Sequence, residues 1–183
     1  MFVSQLKYFQ KITLSRFIES QIQECAFRHL GVPDMGKLRD RFEGQKYYNS
    51  LRSKILSEFA FEKLLGLGDF DWEKRKERSS QESTYIFNNK KISLITFSKG
   101  NLPLFRPEYL DSTVFIYTRS DLNVYISGLA TKKEIVKHCI TPLNHNPMNR
   151  DYMELAVFKS FPTFKSKLQL LSLLEEIETT DKI

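Results

Sequence analysis

An α/β chain of the α+β kind, with a mixed sheet of about four to five strands flanked by helices, is predicted by three observations. Two stretches, near 14–30 and 45–65, repeat apolar residues at three- and four-residue steps, which marks amphipathic helices. Two β-rich pairs, near 84–96 and 113–127, are each divided by turn-forming residues. A closing stretch after Pro162 returns to helical spacing.

Each element has its own signal. Thr13 is placed to cap a first helix carrying Leu14, Phe17, Ile18, Ile22, Cys25, Ala26 and Leu30, and Gly31 with Pro33 stops it. A second helix is expected from the polar stretch Lys37 to Gln45 through Tyr48, Leu51, Ile55, Phe59 and Leu65 to Gly66, with a break near Gly44. Residues 69–83 mix both charges with serine, lack apolar periodicity after Trp72, and read as a solvated loop. Asn88-Asn89 tolerates positive φ between two short β-rich runs, which predicts a tight hairpin over Thr84 to Thr96. Thr113 to Tyr117 and Val124 to Ser127 form a second hairpin. Its first strand is apolar on both faces, as a central strand requires, and Gly128 is expected to end the second. Thr131 caps a short helix, Lys132 to His138, before an irregular loop from Thr141 to Arg150. Met153 to Phe158 adds an edge strand. Pro162 and Thr163 open a helix with Phe164, Leu168, Leu171, Leu174 and Ile177 on one side. The chain is read as a single domain over 1–183, with an N-terminal helical extension at 1–36, a core at 37–140, and a loop plus C-terminal helix at 141–183.

A chain of 183 residues buries about two thirds of its unfolded surface, enough for a conventional core. Its 41% hydrophobic and 27% charged residues are ordinary globular usage, and 15 Phe and 8 Tyr against 1 Trp point to a core filled by aromatic rings. No run approaches the ~18 apolar residues of a membrane helix, and Met1 to Lys7 lacks the pattern of a secretory signal. With only two cysteines, Cys25 and Cys139, far apart in the chain, a cytoplasmic protein without a membrane partner is expected. The net charge of +6 is compatible with a polyanion partner without demanding one.

Among chemistry-bearing residues, Cys25 and His29 stand four apart on one helix but lack a second ligand pair, so a packed cysteine is expected. His138 and His145 have no acid or nucleophile beside them. The run Lys74, Arg75, Lys76 and Arg78 carries Glu73 and Glu77 within it, which dilutes its field.

Ser57 to Leu67 and Thr84 to Thr96 resemble the PD-(D/E)XK, or restriction-endonuclease-like, nuclease superfamily. The likeness is to compact bacterial and phage-type members with a Gly-Glu-Leu-Ala-Phe-Glu helix and a hairpin reading roughly Asp-Phe-x-Val-Asn-Gly-Lys-Lys-Ile-Glu-Val-Lys-Thr. Asp111 to Tyr117, Val124 to Gly128 and the helix from Lys132 follow in the matching order, so the resemblance covers about residues 40–140. It implies a restriction-endonuclease-like core. In that family carboxylates hold one or two divalent ions and a lysine helps activate the attacking water. The helix acid falls on Glu58, the strand Asp on Thr84, the second acid on Ser93 and the lysine on Ile95; a one-residue slip brings Ile92 and Leu94, no better suited. The resemblance is thus to a degenerate member lacking most catalytic residues.

The first expectation is a catalytically inactive protein that binds nucleic acid, DNA or RNA, or a protein partner in the groove where substrate would lie. Glu58 is the one retained catalytic position, and Lys90, Lys91, Lys99 and Arg106 are the candidates for phosphate contact. No metal ligands and no cofactor are expected on this reading. The second in rank is a pure protein-interaction or regulatory subunit, with Phe2, Tyr8 and Phe9 available to a partner or a second copy. The third is an active Mg²⁺-dependent nuclease whose site has migrated to Glu58, Glu62, Asp69, Asp71 or Glu82 with Lys91 or Lys99. The three share one structural requirement, that residues 84–96 fold back as a ribbon beside the Glu58 helix.

Overall fold

In the computed structural model, which describes residues 6–39, 43–77, 83–99, 102–106, 110–140, 151–153 and 155–181, that requirement is met. Strands β2 (Thr84–Phe87) and β3 (Lys90–Ser98) pair antiparallel, with Thr84 opposite Ser93. Asn88 and Asn89 take φ of 47° and 62°, the double left-handed turn that matches strand twist. The hairpin packs on helix α3 (Gly44–Leu65): Tyr85 donates its hydroxyl to Glu62 at 2.7 Å, and Thr96 Oγ1 bonds Ser57 Oγ at 2.9 Å.

The remaining strands complete a mixed sheet. Strand β5 (Ser112–Thr118) runs parallel to β3, β6 (Asn123–Ala130) antiparallel to β5, and β1 (Gln10–Thr13) antiparallel to β6, giving the order β1-β6-β5-β3-β2. A small second sheet joins β4 (Leu104–Phe105), β8 (Asp151–Met153) and β7 (Cys139–Ile140), in that order. The central β5 is apolar on both faces because it feeds two cores. Val114 and Ile116 enter one with α1 (Phe17–Leu30), α3 and α6 (Lys167–Asp181); Phe115 and Tyr117 enter the other. The second core is the aromatic one, where Phe115 and Phe158 lie 5.1 Å apart and Phe9 meets Phe158 edge-on at 5.2 Å.

Several expectations need correction. The described part of the first 36 residues, 6–36, is no extension: β1 pairs with β6, and Ile18, Ile22, Cys25 and Ala26 of α1 lie in the main core. Thr13 ends β1 instead of capping α1, which starts at Phe17 without a side-chain cap, while Gly31 does close it at φ 59°. The break near Gly44 is observed, between α2 (Met35–Arg39) and α3, with Glu43 at φ 61°. Residues 72–77 form a helix, α4 (Trp72–Glu77), because Asp71 caps it through the Lys74 amide at 2.9 Å and Trp72 stacks on Phe59 at 5.9 Å. Thr131 does cap α5 (Lys132–His138), as one half of a capping box with Glu134. Met153 ends a strand and 155–160 is a 3-10 helix; the closing helix begins only at Lys167, with Ser166 bonding the Gln169 amide. The loop from Thr141 to Arg150 lies outside the described residues.

Gly128 does not end β6 but lies within it, where a Cβ would stand 2.4 Å from the carbonyl oxygens of Phe161 and Pro162. Gly31 has open space around it and only an unfavourable φ for other residues. Gly128→Ala is expected to cost about 3 kcal/mol in urea denaturation, against about 1 kcal/mol for Gly31→Ala. Equal losses at the two positions would show that the close backbone approach is not what selects glycine at 128.

Candidate functional site

Glu58 lies on α3 with 4% of its surface exposed. A carboxylate at that depth needs partners for both oxygens, and it has them. Arg75, equally buried, donates Nε to Oε2 at 2.6 Å, and Ser83 donates Oγ to Oε1. Arg75 arrives there because Trp72, one turn earlier on α4, is packed against Phe59 and Phe70. Next to Arg75, Lys76 reaches back to Glu24 and Glu73, each at 2.9 Å. The hydrogen bonds that Lys76 donates to Glu24 and Glu73 hold its ammonium above its ordinary pKa, and Lys76 in turn holds Glu73 below the usual carboxylate range. The Lys76–Glu24 contact ties α4 to α1, and Lys76–Glu73 braces α4 within itself; both are lost in strong alkali as Lys76 gives up its proton, and the second also in strong acid as Glu73 takes one. The charged run at 73–77 is thus partly a buried docking surface, not a solvated one.

The polar stripe of α3 ahead of Glu58 lines an open groove of about 1070 Å³. Gln45, Lys46, Asn49, Ser50, Ser53 and Lys54 recur at helical spacing on one side, and Glu58 lies one turn beyond Lys54. The floor is the end of β3, from Leu94 to Ser98, which runs past the point where Leu94 N bonds the Ser83 carbonyl. The far side is Leu102, Leu104, Phe105, Arg106 and Leu110. Ser83 belongs both to the groove lining and to Glu58, so the ion pair closes one end. None of the described lining residues is acidic, while Lys46, Lys54 and Arg106 are cationic.

The cations expected to contact phosphate are not brought together. Arg106 lines the groove; Lys99 is exposed at the end of β3. Lys90 and Lys91 belong to the hairpin, roughly 26–30 Å along the strand from Lys99 at ~3.3 Å per residue. Lys90 donates to the Leu174 carbonyl at 2.5 Å, tying the hairpin to α6, and Lys91 is exposed. Lys46 and Lys54 were missed, although their stripe is legible as an all-polar face on a helix whose other face is apolar.

The positions matched to the family's metal ligands do not supply a fitting donor set. Thr84 and Ser93 do face each other across the hairpin, as hydroxyls in place of carboxylates, and Ile95 is half-buried against the aromatic core. Among the other carboxylates considered, Glu62 accepts from Tyr85, Asp71 caps α4, Asp69 is exposed, and Glu82 lies outside the described residues. No three His, Cys, Asp or Glu side chains gather to hold one ion among the described residues. Among the described residues, the positive charge bonded to Glu58 is the Arg75 guanidinium.

Cys25 is fully buried and burial pushes its thiol up, while His29 Nε2 donates to the Lys76 carbonyl at 2.8 Å, so this pair packs and docks α4. His145 lies outside the described residues. Of the N-terminal aromatics, Phe9 is buried within its own fold, Tyr8 remains partly exposed beneath Lys7, and Phe2 lies outside the described residues. No described helix is long and apolar enough to cross a membrane. No family model matches the chain, and neither a curated protein nor a solved structure matches it.

Breaking a buried pair leaves one uncompensated charge, so Glu58→Ala and Arg75→Ala are each expected to cost about 3–5 kcal/mol in urea denaturation. The double variant should lose at least about 1 kcal/mol less than the sum. Additive losses would mean that the two side chains do not stabilise each other.

Proposed function

We propose that this protein binds nucleic acid in the α3/β3 groove without cleaving it, as a nuclease-like frame whose acid has become structural. The observation that carries the reading is the groove's charge. Its described lining carries Lys46, Lys54 and Arg106 with hydroxyl and amide groups and no carboxylate of its own, the exposed Glu43 just outside it pairing with Lys46 at 3.0 Å, while Glu58 next to it is neutralised by Arg75. Phosphodiesters are recognised by that combination, point charges from lysine, a planar fork from arginine, and neutral donors between them. The chain's surplus of 28 basic over 22 acidic residues acts in the same direction at longer range. The likeness of the helix and hairpin to PD-(D/E)XK nucleases supports the location, and Thr84, Ser93 and Ile95 support the absence of hydrolysis.

Each phosphate contact releases counterions, so affinity should fall linearly in log–log form with salt. Lys54→Ala and Arg106→Ala are each expected to lower that slope by about 0.7–0.9, in fluorescence anisotropy with labelled oligonucleotides, whereas Lys91→Ala leaves it unchanged. No cleavage is expected with Mg²⁺ or Mn²⁺ present. Undetectable binding at low salt, or metal-dependent cleavage abolished by Glu58→Ala, would overturn the reading.

A further inference from the structure

We infer that the groove takes single-stranded nucleic acid in preference to duplex, an inference that rests on the nucleic-acid reading above. The two sides of the groove differ in kind because they come from opposite faces of the sheet. The α3 side packs on the core containing Leu94 and is polar and cationic; the side formed by Leu102, Leu104, Phe105, Arg106 and Leu110 packs on the aromatic core through Phe105 and Leu110. That second side presents Leu102 and Leu104, 44% and 46% exposed, with Arg106 alongside.

A duplex turns phosphates and sugars outward and stacks its bases within, so the leucine side would face charged backbone and stay wet. An unpaired strand separates its charge from its base faces. Its phosphates can follow Lys46 and Lys54 while its bases cover Leu102 and Leu104, and the planar Arg106 guanidinium can stack on a base. Phe97 and Phe105 are too buried, at 5% and 3% exposed, to serve as stacking platforms, so the contact is aliphatic and tolerant of base identity. An acidic peptide would satisfy the charge but supply no flat apolar faces for the leucines.

The test compares a labelled single strand of mixed sequence with the duplex of equal length by anisotropy at low salt, using the full chain. The single strand is expected to bind about tenfold tighter or more. The Leu102→Ser/Leu104→Ser variant, whose substitutions are both at exposed positions, should lose most of that preference and keep the wild-type salt slope and melting temperature. Equal or tighter duplex binding, or an unchanged preference in the variant, overturns this inference and leaves nucleic-acid binding standing. Failure to bind either probe overturns the underlying reading as well. Polyglutamate at equal charge should displace the strand weakly; displacement as effective as by unlabelled strand would assign the groove to an acidic chain instead.

Discussion

The ion pair between Glu58 and Arg75 is the contact on which the rest of this structure turns. Moving both charges out of water is costly, and the cost is offset only because each is held in place by other packing. Trp72 against Phe59 and Phe70 sets the position of α4, and thereby of Arg75. Ser83 completes the carboxylate's shell and at the same time accepts the Leu94 amide through its backbone carbonyl. One residue therefore couples the helix acid to the register of the hairpin. Three consecutive elements, α3, α4 and β2, are fixed around a single carboxylate.

That arrangement decides what chemistry lies next to the groove. A carboxylate with one oxygen on a guanidinium and the other on a hydroxyl has little left to offer a cation, and its charge is cancelled locally. The described groove lining beyond it carries Lys46, paired with the exposed Glu43, and Lys54 along α3, over a floor of apolar and hydroxyl side chains at the end of β3. With its surroundings filled from the chain, Glu58 acts as a structural residue.

Where the signal was local, the fold was legible in the sequence. Asn88-Asn89 specified the hairpin turn, Thr131 with Glu134 the cap of α5, Gly31 and Gly66 the ends of α1 and α3, and the doubly apolar run at 113–117 the central strand. Where the partner is distant, reading failed. Arg75 looks like one charge in a mixed run until Glu58 is seen to await it, and the four residues of β1 carry no pattern of their own and pair with residues 123–126. Gly128 reads as a strand end because the carbonyls that exclude a side chain there come from 161 and 162. Glu58 stands out in the sequence as an acid on a helix rich in Phe and Leu, but the partners that make it structural, Arg75 and Ser83, do not. The groove's lysines were passed over because a polar helix face gives no hint of which strand end it will meet.

The most direct measurement is a nitrogen-resolved NMR titration of the full chain with a single-stranded oligonucleotide, following backbone amides together with the Arg75 Nε–H resonance. The account predicts shifts concentrated in residues 45–54, 94–98 and 102–106, with the Arg75 resonance slow to exchange and unmoved, still bonded to Glu58. A groove whose amides do not respond, or an Arg75 resonance that shifts and exchanges as the strand binds, would contradict it.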